Sequence, residues 1–315
     1  MKLSKHLGRI KCPCKLVSDG EFQTLEQCTR IHNMQALTYV ENIKYADALR
    51  NPNISCVICT PEIKDQLPSH IAGVVITESP KAVFYVIHND LVKTQPKRPT
   101  QIDPSSRVSP LAYVAPFGVV IGKNVEIQPF AVVNEGSAIG DCVCICSGAV
   151  ISGQSFNVVR DPSGQDFLVT DGGTVRIEDG VEICCNAHIA RGTLLNDETV
   201  LGAYAKIDAL THIGHGAVIG ERAIITASAV IGGNAIIGSK VWVGINATVS
   251  NGITIGEGAR VSLGSVVTKN VPAGQTVTGN FAIPHPTFLR NLKASVAVNV
   301  PDGQMLPPPG RPGEP

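Results

Sequence analysis

Ile207-Asp-Ala-Leu-Thr-His-Ile213-Gly-His-Gly-Ala-Val-Ile219-Gly-Glu-Arg-Ala-Ile-Ile225-Thr-Ala-Ser-Ala-Val-Ile231 returns an isoleucine every sixth residue. The same beat is carried upstream by Ile177, Ile183, Ile189, Leu195 and Leu201, and downstream by Ile237, Val243, Val249, Ile255, Val261 and Val267. The fourth residue after most anchors is small, as at Thr193, Ala205, Thr211, Ala217, Ala223, Ala229 and Ala235. At a 43% hydrophobic composition such a run arises by chance roughly once in a million, so the period reports the fold.

A period of six matches neither the helical 3.6 nor the strand 2. It fits a short strand and a turn, repeated, with one large aliphatic and one small residue pointing inward each time. Successive coils then stack their strands about 4.8 Å apart and bury a continuous aliphatic column. Gly202, Gly214, Gly220, Gly232, Gly238 and Gly244 recur at the corners, where glycine is expected to adopt positive φ. His215 lies two places after an anchor and so off the packing positions, while His188 and His212 each lie one place before an anchor. Gly233 follows His215 by one full coil of three repeats and is expected to stack on it at about 4.8 Å. A backbone N–H beside an imidazole pairs an oxyanion donor with a base, which is what acyl transfer needs.

Residues 1–97 lack the period. Short apolar runs (55–60, 71–77) alternate with helix-like segments (45–50, 81–92), which predicts a small α/β domain. The polar, proline-bearing stretch 93–100 reads as a linker. The period begins at Ile102, Val108 and Val114, slips by one residue, and resumes from Ile121 to Ile151. It fails over 152–174, predicting a loop thrown out from the coil, and then runs on unbroken from Ile177. The chain is thus expected to be mainly β: a domain over 1–97, a parallel β-helix over 98–275 with an extruded loop at 152–174, and a tail over 276–315. That tail holds a short helix near 286–297, and its proline- and glycine-rich end, 301–315, is expected to be disordered.

Twenty-six basic and twenty-six acidic residues cancel, which argues against general attraction to nucleic acid or anionic membrane. No apolar run reaches the length of a transmembrane helix. Residues 1–15 are basic without the apolar core of a signal peptide, so a cytoplasmic protein is expected. Cys56-Val-Ile-Cys59 sits in a strand-like run where residues three apart face opposite ways, unsuited to zinc or redox chemistry. Cys142, Cys144, Cys146, Cys184 and Cys185 read as small packing residues of the repeat.

The hexapeptide pattern over most of 102–271 resembles the hexapeptide-repeat, left-handed parallel β-helix family, whose chains associate as trimers. Around Lys206–Gly220 it resembles, more narrowly, the UDP-3-O-(3-hydroxyacyl)glucosamine N-acyltransferases of lipid A synthesis and their relatives acting on other nucleotide-linked amino sugars. The resemblance implies His215 as general base, Asp208 as its acid partner and the Gly233 N–H as oxyanion donor; His212, off the core positions, is a further candidate for substrate contact. Tyr39, Asn42 and Tyr45 match that family's uridine site, in which two aromatic rings sandwich the base and an amide reads its edge. It further implies a homotrimer with no tightly bound cofactor and no metal, using an acyl thioester on acyl carrier protein or coenzyme A to acylate a UDP-linked amino sugar. Ala209, Ala190 and Asn251 depart from the family's usual residues, which leaves room for a short-acyl coenzyme A donor and a dTDP- or UDP-dideoxyamino sugar. Two other readings compete: a zinc hydratase using His188, His212 and His215, and a non-catalytic trimeric rod.

Overall fold

In the computed structural model, which describes residues 1–8, 10, 12–31, 33–161, 163–279 and 282–299, the sixfold period becomes a triangular parallel β-helix. Its first face stacks nine strands from Arg107–Val108 to Thr276–Val277. Its second stacks eight from Tyr113–Val114 to Val266–Val267, and its third eight from Gln101–Ile102 to Thr254–Ile255. Anchors pair with anchors, as Ile213 with Ile231 and Ile219 with Ile237. Together with alanines such as Ala217, Ala223 and Ala229 they form one fully buried core. Burial of each Ile side chain is worth about 1.5–3 kcal/mol, so the column is the main source of stability.

The corner glycines depart from expectation. Gly202, Gly214, Gly220, Gly232, Gly238 and Gly244 are not among the residues with positive φ, which falls instead two places later, as at Tyr204, Gly216, Arg222, Asn234, Lys240 and Asn246. Glycine is needed for a different reason: a Cβ on Gly214 would lie 2.6 Å from the Gly233 nitrogen of the next coil. The array is also not continuous. Ile183 pairs with Ile207 and Ile189 with Ile213, each 24 residues on where one coil needs 18, so six residues leave the coil between Ala190 and Glu198. Leu195 is therefore no core anchor; it packs with Leu194 against the N-terminal domain. The cysteines of the array are likewise outside the helix core, and Cys146 has its thiol pushed up to about 12 by burial and by the neighbouring Cys144 thiol.

The N-terminal region forms a five-stranded sheet in the order β1 (Lys15–Ser18), β5 (Gly73–Ile76), β4 (Ile54–Cys59), β3 (Ala36–Val40), β2 (Thr24–Leu25), parallel except for β1. Strand β4 is buried throughout, with Cys56 and Cys59 in separate clusters on its two sides, as their spacing required. A short α1 (Ser4–Leu7) precedes the sheet, and α2 (Pro80–Lys93) packs Phe84, Ile87 and Leu91 inward. The expected loop at 152–174 is real but slightly shorter: the chain leaves the helix after Gly153, rejoins it at Thr174, and between them forms an antiparallel hairpin, Val158–Arg160 with Asp166–Leu168. The hairpin docks on α2: Val159 and Val169 join its cluster, Asn89 bonds to Leu168 O and Thr170 N, and His88 Nε2 lies 2.9 Å from Thr170 O.

Residues 1–279 form one compact unit and 280–315 a second, in which α3 (His285–Asn299) is the described element. The expected disorder of 301–315 lies outside the described residues. Among the described residues no helix is long and apolar enough to cross a membrane.

Candidate active site

The hairpin and the six-residue excursion both leave the corner between the second and third faces, on consecutive coils. Arg191 N–H donates to Gly153 O at 3.0 Å, Asn234 N–H to His215 O at 2.8 Å, and Gly252 N–H to Gly233 O at 2.9 Å. Gly153, Arg191, His215, Gly233 and Asn251 thus climb one corner, coil by coil. His215 is half-buried, off the core, as its register predicted. Its ring lies against Gly233: a Cβ there would sit 2.6 Å from His215 Nε2. The Gly233 N–H is not idle, for it donates to Asn251 Oδ1 at 3.0 Å. That bond fixes the Asn251 amide. Asn251 was legible only as the next residue in the eighteen-residue stack.

His212 does not act alone. It pairs across the ladder with His188, the rings stacked at 5.2 Å with 12° between planes and Nδ1 to Nδ1 at 3.2 Å. One Nδ1 must carry the hydrogen and the other the lone pair. Burial lowers both pKa values, and for His212 the neighbouring His188 and His215 add to the effect. Sequence phase put both outside, but their contact depends on the six-residue excursion.

Asp208 is placed elsewhere. It lies at the other end of the His212–Ile213 strand, on the corner between first and second faces. Its Oδ1 accepts from Ala209 N–H at 2.7 Å and its Oδ2 from Ala227 N–H at 3.0 Å, so within one chain it braces that corner. Among the described residues no group of three or more His, Cys, Asp or Glu is arranged to hold a metal ion.

Tyr39, Asn42 and Tyr45 line one cavity of about 250 Å³, together with Gln27, Cys28 and Thr29. Tyr39 rests on Phe84, ring centroids 4.9 Å apart, and burial raises its phenol pKa. Asn42 Oδ1 accepts from Lys44 N–H at 3.0 Å, capping a 3₁₀ turn, while Tyr45 is 42% exposed beneath the Lys44 ammonium. Arg30, close to this cavity in sequence, hydrogen-bonds to Asn234 Oδ1, tying the domain to the coil that carries Gly233. No sequence pattern announced that contact.

The stacked six-residue strands coincide with a matching family model, bacterial transferase hexapeptide (six repeats), over residues 118–153 and 198–233. The chain carries that hexapeptide repeat over those residues, wound into a parallel β-helix. Curated sequence relatives include UDP-3-O-acylglucosamine N-acyltransferases. That of Methylobacillus flagellatus is 30% identical over 219 residues, covering 60% of this chain and 60% of the relative. That of Helicobacter pylori is 25% identical over 248 residues, covering 71% and 72%. The match thus spans less than two thirds of the first relative's length. Among solved structures, the Francisella novicida UDP-N-acetylglucosamine acyltransferase is similar at 21% identity and a TM-score of 0.47, covering 61% of this chain and 71% of that one.

Proposed function

We propose that the protein is an N-acyltransferase that moves an acyl group from a thioester, on acyl carrier protein or coenzyme A, to the amine of a UDP-linked amino sugar. The observation that carries the reading is the His215 ring held against Gly233 on the corner that Arg30 of the N-terminal domain reaches through Asn234. The sugar amine attacks the thioester carbonyl and His215 takes its proton. The tetrahedral oxyanion is met by the Gly233 N–H, which Asn251 releases by rotating its amide, and collapse expels the thiolate, which is reprotonated. Tyr39, Asn42 and Tyr45 hold the uracil, and the bound nucleotide supplies proximity. His212 contacts substrate from the second face.

The same reading makes the protein a cytoplasmic homotrimer without a bound cofactor. Leu111, Phe130, Leu210, Ile245 and Leu263 run up the corner between first and second faces and are 60, 67, 62, 58 and 62% exposed, a stripe of the kind that marks an interface. Asp208 shares that corner, so in the assembly its partner is the histidine of a neighbouring subunit rather than its own. Mass spectrometry of transfer from a panel of acyl-carrier and coenzyme A thioesters to UDP- and dTDP-linked amino sugars tests the assignment. Acylation of a UDP-amino sugar supports it; no acylated product from any pair overturns it.

A further inference from the structure

One coil below His215 the corner carries a second polar feature that the acyl-transfer reading leaves unused. Arg191 is partly buried and largely desolvated, which lowers its pKa, and among the described residues it makes no ion pair. Its Nε donates to Gly173 O at 2.8 Å. Its Nη2 lies where only glycine permits: Gly136 has φ +83°, and a Cβ there would be 2.8 Å from that nitrogen. Glu135 and Asp171 act on the guanidinium only from a distance, and the Asp171 carboxylate is already taken by the Ser155 hydroxyl at 2.9 Å.

The guanidinium faces a cavity of about 870 Å³ between the N-terminal domain and the helix, distinct from the Tyr39–Tyr45 cavity. Lys93 and Lys97 line its wall against one acidic residue, Glu135. Lys93 has Asp90 at 3.6 Å, whereas Lys97 makes no ion pair among the described residues. The Arg191 guanidinium is a planar fork that suits a two-oxygen anion. With Lys93 held by Asp90 and with Glu135 and Asp171 acting on Arg191, Lys97 is the cation of the lining free to join the guanidinium on a phosphate.

We propose that this cavity is a second ligand site, taking a small phosphorylated anion whose phosphate docks on Arg191 with Lys97 beside it. Titration calorimetry with inorganic pyrophosphate on the full chain tests it. Pyrophosphate is expected to bind the wild type, roughly tenfold more weakly to Arg191→Ala and several-fold more weakly to Lys97→Ala, and unchanged to a Phe156→Ser variant at an exposed ring outside both cavities. Lys97 is exposed, so its variant keeps the test alive if Arg191→Ala does not fold. No binding at millimolar concentration, undiminished binding in Lys97→Ala and Arg191→Lys, loss in Phe156→Ser, or equal binding of citrate would each overturn the site or its phosphate preference.

Discussion

The imidazole of His215 occupies the space that a side chain on Gly233 would fill, with Nε2 2.6 Å from the Cβ position. Gly233 is not among the residues with positive φ, so alanine meets only a movable ring there. Gly233→Ala is therefore expected to fold normally, by circular dichroism and melting, while lowering acyl transfer about a hundredfold by displacing the base. His215→Ala is expected to lose transfer by about 10²–10⁴-fold with assembly intact. Near-wild-type turnover in either variant would remove the base assignment.

Asn251 is expected to hold the Gly233 N–H in the resting state. Asn251→Ala leaves that donor to water and should cost about 1 kcal/mol of stability by denaturant titration. If the N–H serves the oxyanion, the same variant retains most of its kcat, since the donor remains. A collapse of kcat would instead assign the amide itself to the chemistry.

Acid should weaken the protein through its stacked histidines. His188 and His212 have folded pKa values below their ordinary 6.5, so the unfolded chain binds protons more readily. Their contribution is complete above about 6.5 and is lost as pH falls through the lowered folded values. His88, lowered by its burial against the hairpin, adds a term of the same sign. Melting temperature is thus expected to drop from pH 7.5 to 5, and His188→Gln with His212→Gln should flatten the slope in part. An unchanged slope would show that the pair does not titrate.

Nucleotide binding should depend on Tyr45. It is the exposed ring of the pair, whereas Tyr39 is packed on Phe84 and Asn42 caps a turn, so Tyr45→Ala disturbs the fold least. Calorimetry with UDP is expected to show roughly tenfold weaker binding, the worth of one aromatic stacking contact. Equal affinity would move the uracil elsewhere.

The hairpin should behave as a structural strap. Val159 is buried among residues of α2, so Val159→Ala is expected to cost about 1–3 kcal/mol. Phe156, 90% exposed, should be replaceable by serine within about 0.5 kcal/mol. A thermal melt of both variants checks the contrast.

How far the sequence disclosed this molecule depended on whether a feature changed the six-residue beat. The anchors did, and so did the break at 152–174. Register then took His215 out of the core and laid it against Gly233. The excursion between Ala190 and Glu198 is six residues long, so it leaves the beat intact and hides from any periodic reading; Leu195 was counted with the anchors for that reason. Glycine at Gly214 served close approach between coils rather than positive φ, two demands that one residue type meets alike. Asp208 lay seven residues before His215 in sequence, but a full strand separates their corners. The Arg30–Asn234 contact joins residues 204 apart, beyond the reach of spacing arguments.

The two excursions have a mechanical consequence. They leave the same corner and both grip the N-terminal domain, the hairpin through α2 and the shorter one through Leu194, Leu195 and an Asn196–Thr24 hydrogen bond of 2.6 Å. With the 94–100 segment and the Arg30–Asn234 hydrogen bond they tether the domain to the prism at four places. Tension between domain and helix would pull on these tethers, loading the hairpin's two-stranded ladder before any rung of the aliphatic column.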